Sequence, residues 1–276
     1  MRNTTIDIHP LTGAIGAEIL NIDLTADHPE QTWLEIAEAF REHGVIFFRD
    51  QKLTPEDQIK FTNRFGTMSP SKLFTPVPGY PEMEEVRKEP DAKRAIGDVW
   101  HSDQTYREAP TRGTVLYCLE SPTHGGDTSF LSMAKAYDAL SDGLKHTLEG
   151  LRAIHSNAEP LAAMRHGSPG REHRVQKREE TEVSHPVVIR MPENGRKVLF
   201  VNPSKTMRFE GWTEQESDAL LEYLYRHSER PEFQCRFRWQ EGSLAFWDNY
   251  QVWHYATNDY HGQRRVMHRT TVDMEP

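Results

Sequence analysis

Cysteine is nearly absent from the 276 residues: only Cys118 and Cys235 occur, far apart and in no CxxC arrangement. That excludes a disulfide framework and a thiolate zinc site, and leaves two reduced core thiols. Basic residues are too few for a phosphate-binding field, since 33 Lys and Arg stand against 42 Asp and Glu, a net charge of −9. Nucleic acid is excluded as the main partner. No run approaches the roughly 18 apolar residues of a membrane span. Met1-Arg2-Asn3-Thr4-Thr5 leads into polar sequence rather than an apolar signal core. The expectation is a cytoplasmic protein without a membrane partner. With 36% hydrophobic and 10% aromatic residues the chain can bury a core, and one domain is expected over residues 1–276.

Apolar spacing predicts helices between Pro29 and His43, after Thr54-Pro55-Glu56-Asp57, from Ser132 to Leu148, and from Thr213 to His227. Thr213-x-x-Glu216 is a capping-box signature. Val45-Ile46-Phe47-Phe48 reads as a strand buried on both faces. Further strands are expected at Gly113 to Leu119, Val187 to Arg190, Lys197 to Val201, Glu232 to Trp239, Ser243 to Trp247 and Arg265 to Val272. Short strands with few helices predict a mainly β jelly-roll double sheet with peripheral helices. The Pro/Gly cluster around residues 75 to 97 reads as a surface loop. Residues 157–184 are polar and aperiodic; a segment of that length is either a lid or a solvated loop, and the lid is the reading adopted.

The stretch "DVWHSDQTY" at 98 to 106 carries His101-x-Asp103. In extended backbone, residues two apart point the same way, so an imidazole and a carboxylate can reach one ion. A third ligand is needed to hold it, ideally another imidazole. Among the other histidines His254, in "FWDNYQVWHYA", is the best candidate, because it follows a probable core strand in an aromatic setting. In "QRRVMHRTTV" alternation puts Arg265, Met267, Arg269 and Thr271 on one face, with the two guanidiniums about 13 Å apart along the strand. Buried arginines each require an anion, either an acidic side chain or a ligand carboxylate.

These segments, with "RFG" (64–66), "GGDT" (125–128), "HPVV" (185–188), "FVNP" (200–203) and "PEFQCRFRWQ" (231–240), resemble the taurine dioxygenase and phenoxyacetate-herbicide dioxygenase family. Members are Fe(II)- and 2-oxoglutarate-dependent oxygenases, and the likeness covers nearly the whole chain. It implies a cupin-like double-stranded β-helix, with His101, Asp103 and His254 as iron ligands. It further implies that Thr128 and Arg265 hold the distal carboxylate of 2-oxoglutarate and that Arg269 grips the anionic end of the prime substrate. The implied reaction uses O2, converts 2-oxoglutarate to succinate and carbon dioxide, and hydroxylates a C–H bond. Retention of Asp103 favours hydroxylation over halogenation, and a hydroxyl placed next to a heteroatom leads to C–O or C–S cleavage.

The chain departs from the taurine enzymes at Ser71 and Phe74, where they carry a histidine and a tyrosine, and at Lys205, where they carry an aromatic. Gly97 stands near a position that is asparagine there. The implied pocket, with Ser71, Phe74, Tyr106 and Lys205 as wall residues, suits another small anionic substrate: a carboxylate, sulfonate or sulfate ester. Relatives assemble as dimers or tetramers, so a homo-oligomer is expected. Two rivals use the same ligands: a metal-dependent hydrolase, and a catalytically silent cupin-like binding module.

Overall fold

The computed structural model describes residues 5–71, 73–158 and 180–274. The first strands are β1 (Asp7–Pro10), β2 (Ala17–Leu20), β3 (Val45–Phe48), β4 (Thr67–Met68), β5 (Thr75–Val77), β6 (Tyr80–Lys88) and β7 (Gly113–Glu120). Next come β8 (Thr128–Ser132), β9 (Arg152–Ser156), β10 (Glu182–Pro186), β11 (Val188–Arg190), β12 (Lys197–Leu199) and β13 (Thr206–Phe209). The last are β14 (Gln234–Phe237), β15 (Leu244–Asp248), β16 (Val252–Ala256) and β17 (Arg265–Asp273). Five helices accompany them among the described residues: α1 (Glu30–His43), α2 (Pro55–Asn63), α3 (Met133–Asp138), α4 (Asp142–Glu149) and α5 (Glu214–Ser228).

The major sheet runs β1-β2-β3-β15-β7-β17-β6-β5, with β4 on β17, and a minor sheet runs β14-β8-β16. Only the β2/β3 pair in these sheets is parallel. Between the sheets lies a core of Phe47, Phe130, Phe237, Trp247 and Met267, with the Phe47 and Phe237 rings stacked at 4.0 Å. The two-sided burial of β3 and β15 follows from their alternation. Ile46, Phe48, Leu244 and Phe246 meet α1 and α2, and Val45, Phe47, Ala245 and Trp247 meet the minor sheet. Helices α3 and α5 cover the other face of the minor sheet, where Leu131 and Trp253 are buried. This is the expected jelly roll with peripheral helices.

Several local expectations change. Residues 80–88 are not a surface loop: β6 pairs with β17 from Arg265↔Lys88 to Arg269↔Glu84. The apolar run from Ser132 to Leu148 is two helices, because Ser141 accepts a hydrogen bond from the Leu144 amide and caps a new start. The strand expected from Glu232 is preceded by a 3₁₀ turn at Pro231–Phe233 and spans only Gln234–Phe237. Of the segment read as a lid, Glu182 to Ser184 belong to β10, paired with β9, and 159–179 lie outside the described residues. The expected capping box forms at Thr213/Glu216, and a second, not expected, forms at Thr54/Asp57.

Candidate active site

Strand β16 places His254 opposite Phe130 of β8. The segment carrying His101 lies along its other edge: His101 and His254 exchange backbone hydrogen bonds of 3.1 and 2.8 Å. The pairing brings the two imidazoles together, with ring centres 4.0 Å apart. Asp103, two residues on, turns its Oδ1 to within 3.8 Å of His101 Nε2. The three side chains offer ligand atoms that all lie within 4.8 Å of one another.

Hydrogen bonds fix which atom His101 and Asp103 present. Val99 carbonyl accepts from His101 Nδ1 at 2.7 Å, leaving the Nε2 lone pair toward the cluster. Asp103 Oδ2 accepts from Thr114 Oγ1 and from Arg269 Nη2, both at 2.9 Å, so Oδ1 is left for an ion. Asn249 ties this together: its Nδ2 donates to Thr114 Oγ1 at 2.8 Å, and its Oδ1 accepts from Trp247 Nε1 at 2.9 Å and from the Asp103 amide at 3.3 Å. Gly97 lies under His101 with φ +83°, and a Cβ there would come 3.1 Å from the imidazole Cε1. A side chain at 97 would press on the ring that must stay in place.

Burial pushes both imidazoles below the ordinary histidine range, and His254 well below it, with His101 adding to the effect on His254. Burial works against ionisation of Asp103, but the Arg269 charge, with His254 and His101, outweighs it and holds the carboxyl far below the usual range. Two neutral imidazoles and one carboxylate on one side of a point are the donor set that ferrous iron accepts, with positions left open for other ligands. The residues fit the metal.

One cavity touches all three, and Thr128, Arg265 and Arg269 also line it. The two arginines differ sharply. Arg269 is fully engaged: Nη1 donates to Glu84 Oε2 at 2.6 Å and to Ser71 Oγ at 3.2 Å, and Nη2 donates to Asp103. Arg265 is 4% exposed and makes no ion pair among the described residues; its Nε and Nη2 are buried without a hydrogen-bond partner. Burial pushes its guanidinium below the ordinary arginine range. Trp239 aligns the neighbourhood, donating from Nε1 to Thr128 Oγ1 at 2.9 Å while Arg265 lies 5.4 Å over its ring. The Thr128 hydroxyl thus accepts one bond and keeps its proton to donate. A carboxylate between Thr128 and Arg265 would satisfy both.

The model of the family described as taurine catabolism dioxygenase TauD, TfdA family, matches residues 7–271. The chain belongs to that family. It is an iron(II)- and 2-oxoglutarate-dependent dioxygenase. It is 36% identical to an alkylsulfatase of Acinetobacter baylyi, covering 97% of this chain and 84% of the relative. It is 32% identical to an alpha-ketoglutarate-dependent sulfate ester dioxygenase of Pseudomonas putida, covering 97% and 89%. A taurine dioxygenase structure from Burkholderia xenovorans superposes with a TM-score of 0.83 at 34% identity, covering 98% of this chain and 90% of that one.

Within this TauD/TfdA enzyme the remaining sequence-derived residues separate into two groups. Phe74 lines the cavity, 5.8 Å from the Arg269 guanidinium. Ser71 is buried and bonds Glu84 and Arg269. Tyr106 and Lys205 are not in the cavity lining; they pack on each other at 5.8 Å, with the Lys205 charge still felt at His101. Glu84, Thr114, Trp239 and Asn249 were not singled out from the sequence. Trp239 and Asn249 lie inside quoted family segments, which was an available signal, whereas Glu84 lies in the stretch read as a loop.

Proposed function

We propose that this dioxygenase hydroxylates the carbon next to the acidic head group of a small organic anion, a sulfate ester, sulfonate or carboxylate. Sulfate esters are favoured, because the two relatives above act on them by name. Hydroxylating R–CH2–O–SO3⁻ gives R–CH(OH)–O–SO3⁻, which expels sulfate and leaves the aldehyde R–CHO.

His101 Nε2, Asp103 Oδ1 and His254 would hold the iron. Bound there, the metal supplies O2 activation coupled to the decarboxylation of 2-oxoglutarate to succinate and carbon dioxide. Thr128 and Arg265 receive the distal carboxylate of the co-substrate. Arg269 has two tasks: its donation to Asp103 Oδ2 keeps the other oxygen for the metal, and its cavity-facing surface meets the substrate head group. Glu84 already neutralises Arg269, so the head group meets a tempered charge. Phe74 is a wall of this pocket and Ser71 acts through Arg269, while Tyr106 and Lys205 lie outside its lining.

Arg265 carries this reading. A buried guanidinium with two unpartnered nitrogens, beside a hydroxyl and a three-ligand metal cluster, requires an anion that the described residues do not pair with it. A hydrolase on the same ligands has no use for that anion. The proposal extends to one catalytic domain over 1–276, a homodimer or homotetramer, in the cytoplasm, with no nucleic-acid or membrane partner. Support comes from the charge of −9 and from two buried free thiols. No helix among the described residues is long and apolar enough to cross a membrane.

The test incubates the protein with Fe(II), 2-oxoglutarate and a panel of alkyl sulfates, alkanesulfonates and carboxylates, and measures succinate. Succinate formation that rises severalfold with one class of anion is expected. Release of sulfate or alcohol with no succinate formed would overturn the proposal in favour of the hydrolase.

A further inference from the structure

Strand β6 treats the two arginines of β17 in opposite ways. Lys88 stands across from Arg265, Val86 from Met267 and Glu84 from Arg269. Paired residues share a face of the sheet, and alternate residues along each strand return to it. The face that carries the cavity-lining Val86, Arg265 and Arg269 therefore reads Glu84, Val86, Lys88 against Arg269, Met267, Arg265, with Lys88 beside Arg265 just outside the cavity lining. Arg87, between them, faces outward and pairs with Glu85 and Glu89.

At one end the charges cancel, through the 2.6 Å contact of Glu84 with Arg269. At the other end they add. Lys88 is 4% exposed, and its Nζ is buried with no hydrogen-bond partner among the described residues. It lies 4.4 Å over the ring of Tyr260, whose hydroxyl faces the Arg265 guanidinium. A cation over an aromatic ring gains less than burying an ammonium costs. Like charges on directly opposed rungs are also unfavourable. Two adjacent buried cations with three unpartnered N–H positions between them make physical sense when a ligand brings the anion.

We propose that Lys88 is a second cation at the distal-carboxylate end of the co-substrate site, selecting a dicarboxylic over a monocarboxylic 2-keto acid. This rests on the function proposed above, in which that carboxylate lies against Arg265. In the alternative, the Lys88 stem only packs on Tyr260, and its charge is incidental.

Lys88→Met keeps the stem and removes the charge; Lys88→Arg keeps the charge. Calorimetric titration of the Mn(II)-loaded full chain uses two probes, 2-oxoglutarate and 2-oxobutyrate, which share the keto-acid head but differ in the distal carboxylate. Losing a charge-assisted contact is expected to weaken 2-oxoglutarate roughly tenfold or more. Binding of 2-oxobutyrate should change less than about twofold, and Lys88→Arg should restore most of the loss. Lys88→Gln provides the neutral variant if the methionine protein does not fold. Unchanged 2-oxoglutarate affinity, or an equal loss for both keto acids, would overturn the assignment of Lys88 alone. Wild-type protein that binds no 2-oxoglutarate would instead overturn the underlying function.

Discussion

Replacing His254 with alanine is expected to lower succinate formation roughly a thousandfold or more, because mutating partners that only orient a metal ligand already costs about 10–100-fold. The imidazole is one of three ligand groups, and two cannot hold a catalytic ion against water. Ferrous affinity, measured by competition with a chromophoric chelator, should fall with it. The β16 backbone supplies His254's half of the bridge to His101, so the substitution removes the ring without removing the strand pairing. Asn249→Ala is the graded comparison: it leaves all three ligands but frees Thr114 and the Asp103 amide, and a loss of about 10–100-fold is expected. Equal activity of His254→Ala and wild type would remove the basis for the site.

The second large effect is on stability. Glu84 is 2% exposed and accepts from Ser71 Oγ, the Leu73 amide and Arg269 Nη1 at 2.6, 2.9 and 2.6 Å. Glu84→Ala removes the carboxylate these donors share and leaves Asp103 as the acid paired with buried Arg269, and breaking a buried ion pair from one side costs about 3–5 kcal/mol. For a domain of this size that corresponds to a fall in melting temperature of roughly 10 °C. Glu84→Gln keeps the shape and one acceptor oxygen, so it should be less destabilising while leaving Arg269 with more unopposed charge. An alkanesulfonate should then bind the glutamine variant more tightly than wild type. Melting within about 1 °C of wild type for Glu84→Ala would show that the pair carries no net stability.

The contrast between β16 and β6 shows what a sequence reading can reach here. The metal pair was legible because it uses ordinary rules: alternation puts His101 and Asp103 on one side, and His254 follows, after a turn, the strand announced by Leu244 and Phe246, on the next strand β16. The same-face argument for Arg265 and Arg269 also holds, together with its demand for two anions. Their identity was not legible. For Arg269 the protein supplies Glu84 and Asp103, and for Arg265 no ion pair forms among the described residues. Strand β6 was missed because the face it shares with Arg265 and Arg269 is Glu84 and Lys88 around one valine, so the apolar period that marks a strand is replaced by buried charge beside the pocket. Prolines and glycine at 76 to 81 strengthened the loop reading. The break at Ala139 to Ser141 escaped for another reason: apolar spacing continues through it, and only the Ser141 cap marks the new helix.

The most direct measurement is an anomalous-scattering crystal structure of the protein with Mn(II) and N-oxalylglycine, an unreactive analogue of 2-oxoglutarate. The account predicts a single manganese peak shared by His101, Asp103 and His254, with the far carboxylate of the analogue on Thr128 and Arg265. Manganese elsewhere, or that carboxylate seated on Arg269 with Arg265 still unpartnered, would contradict it.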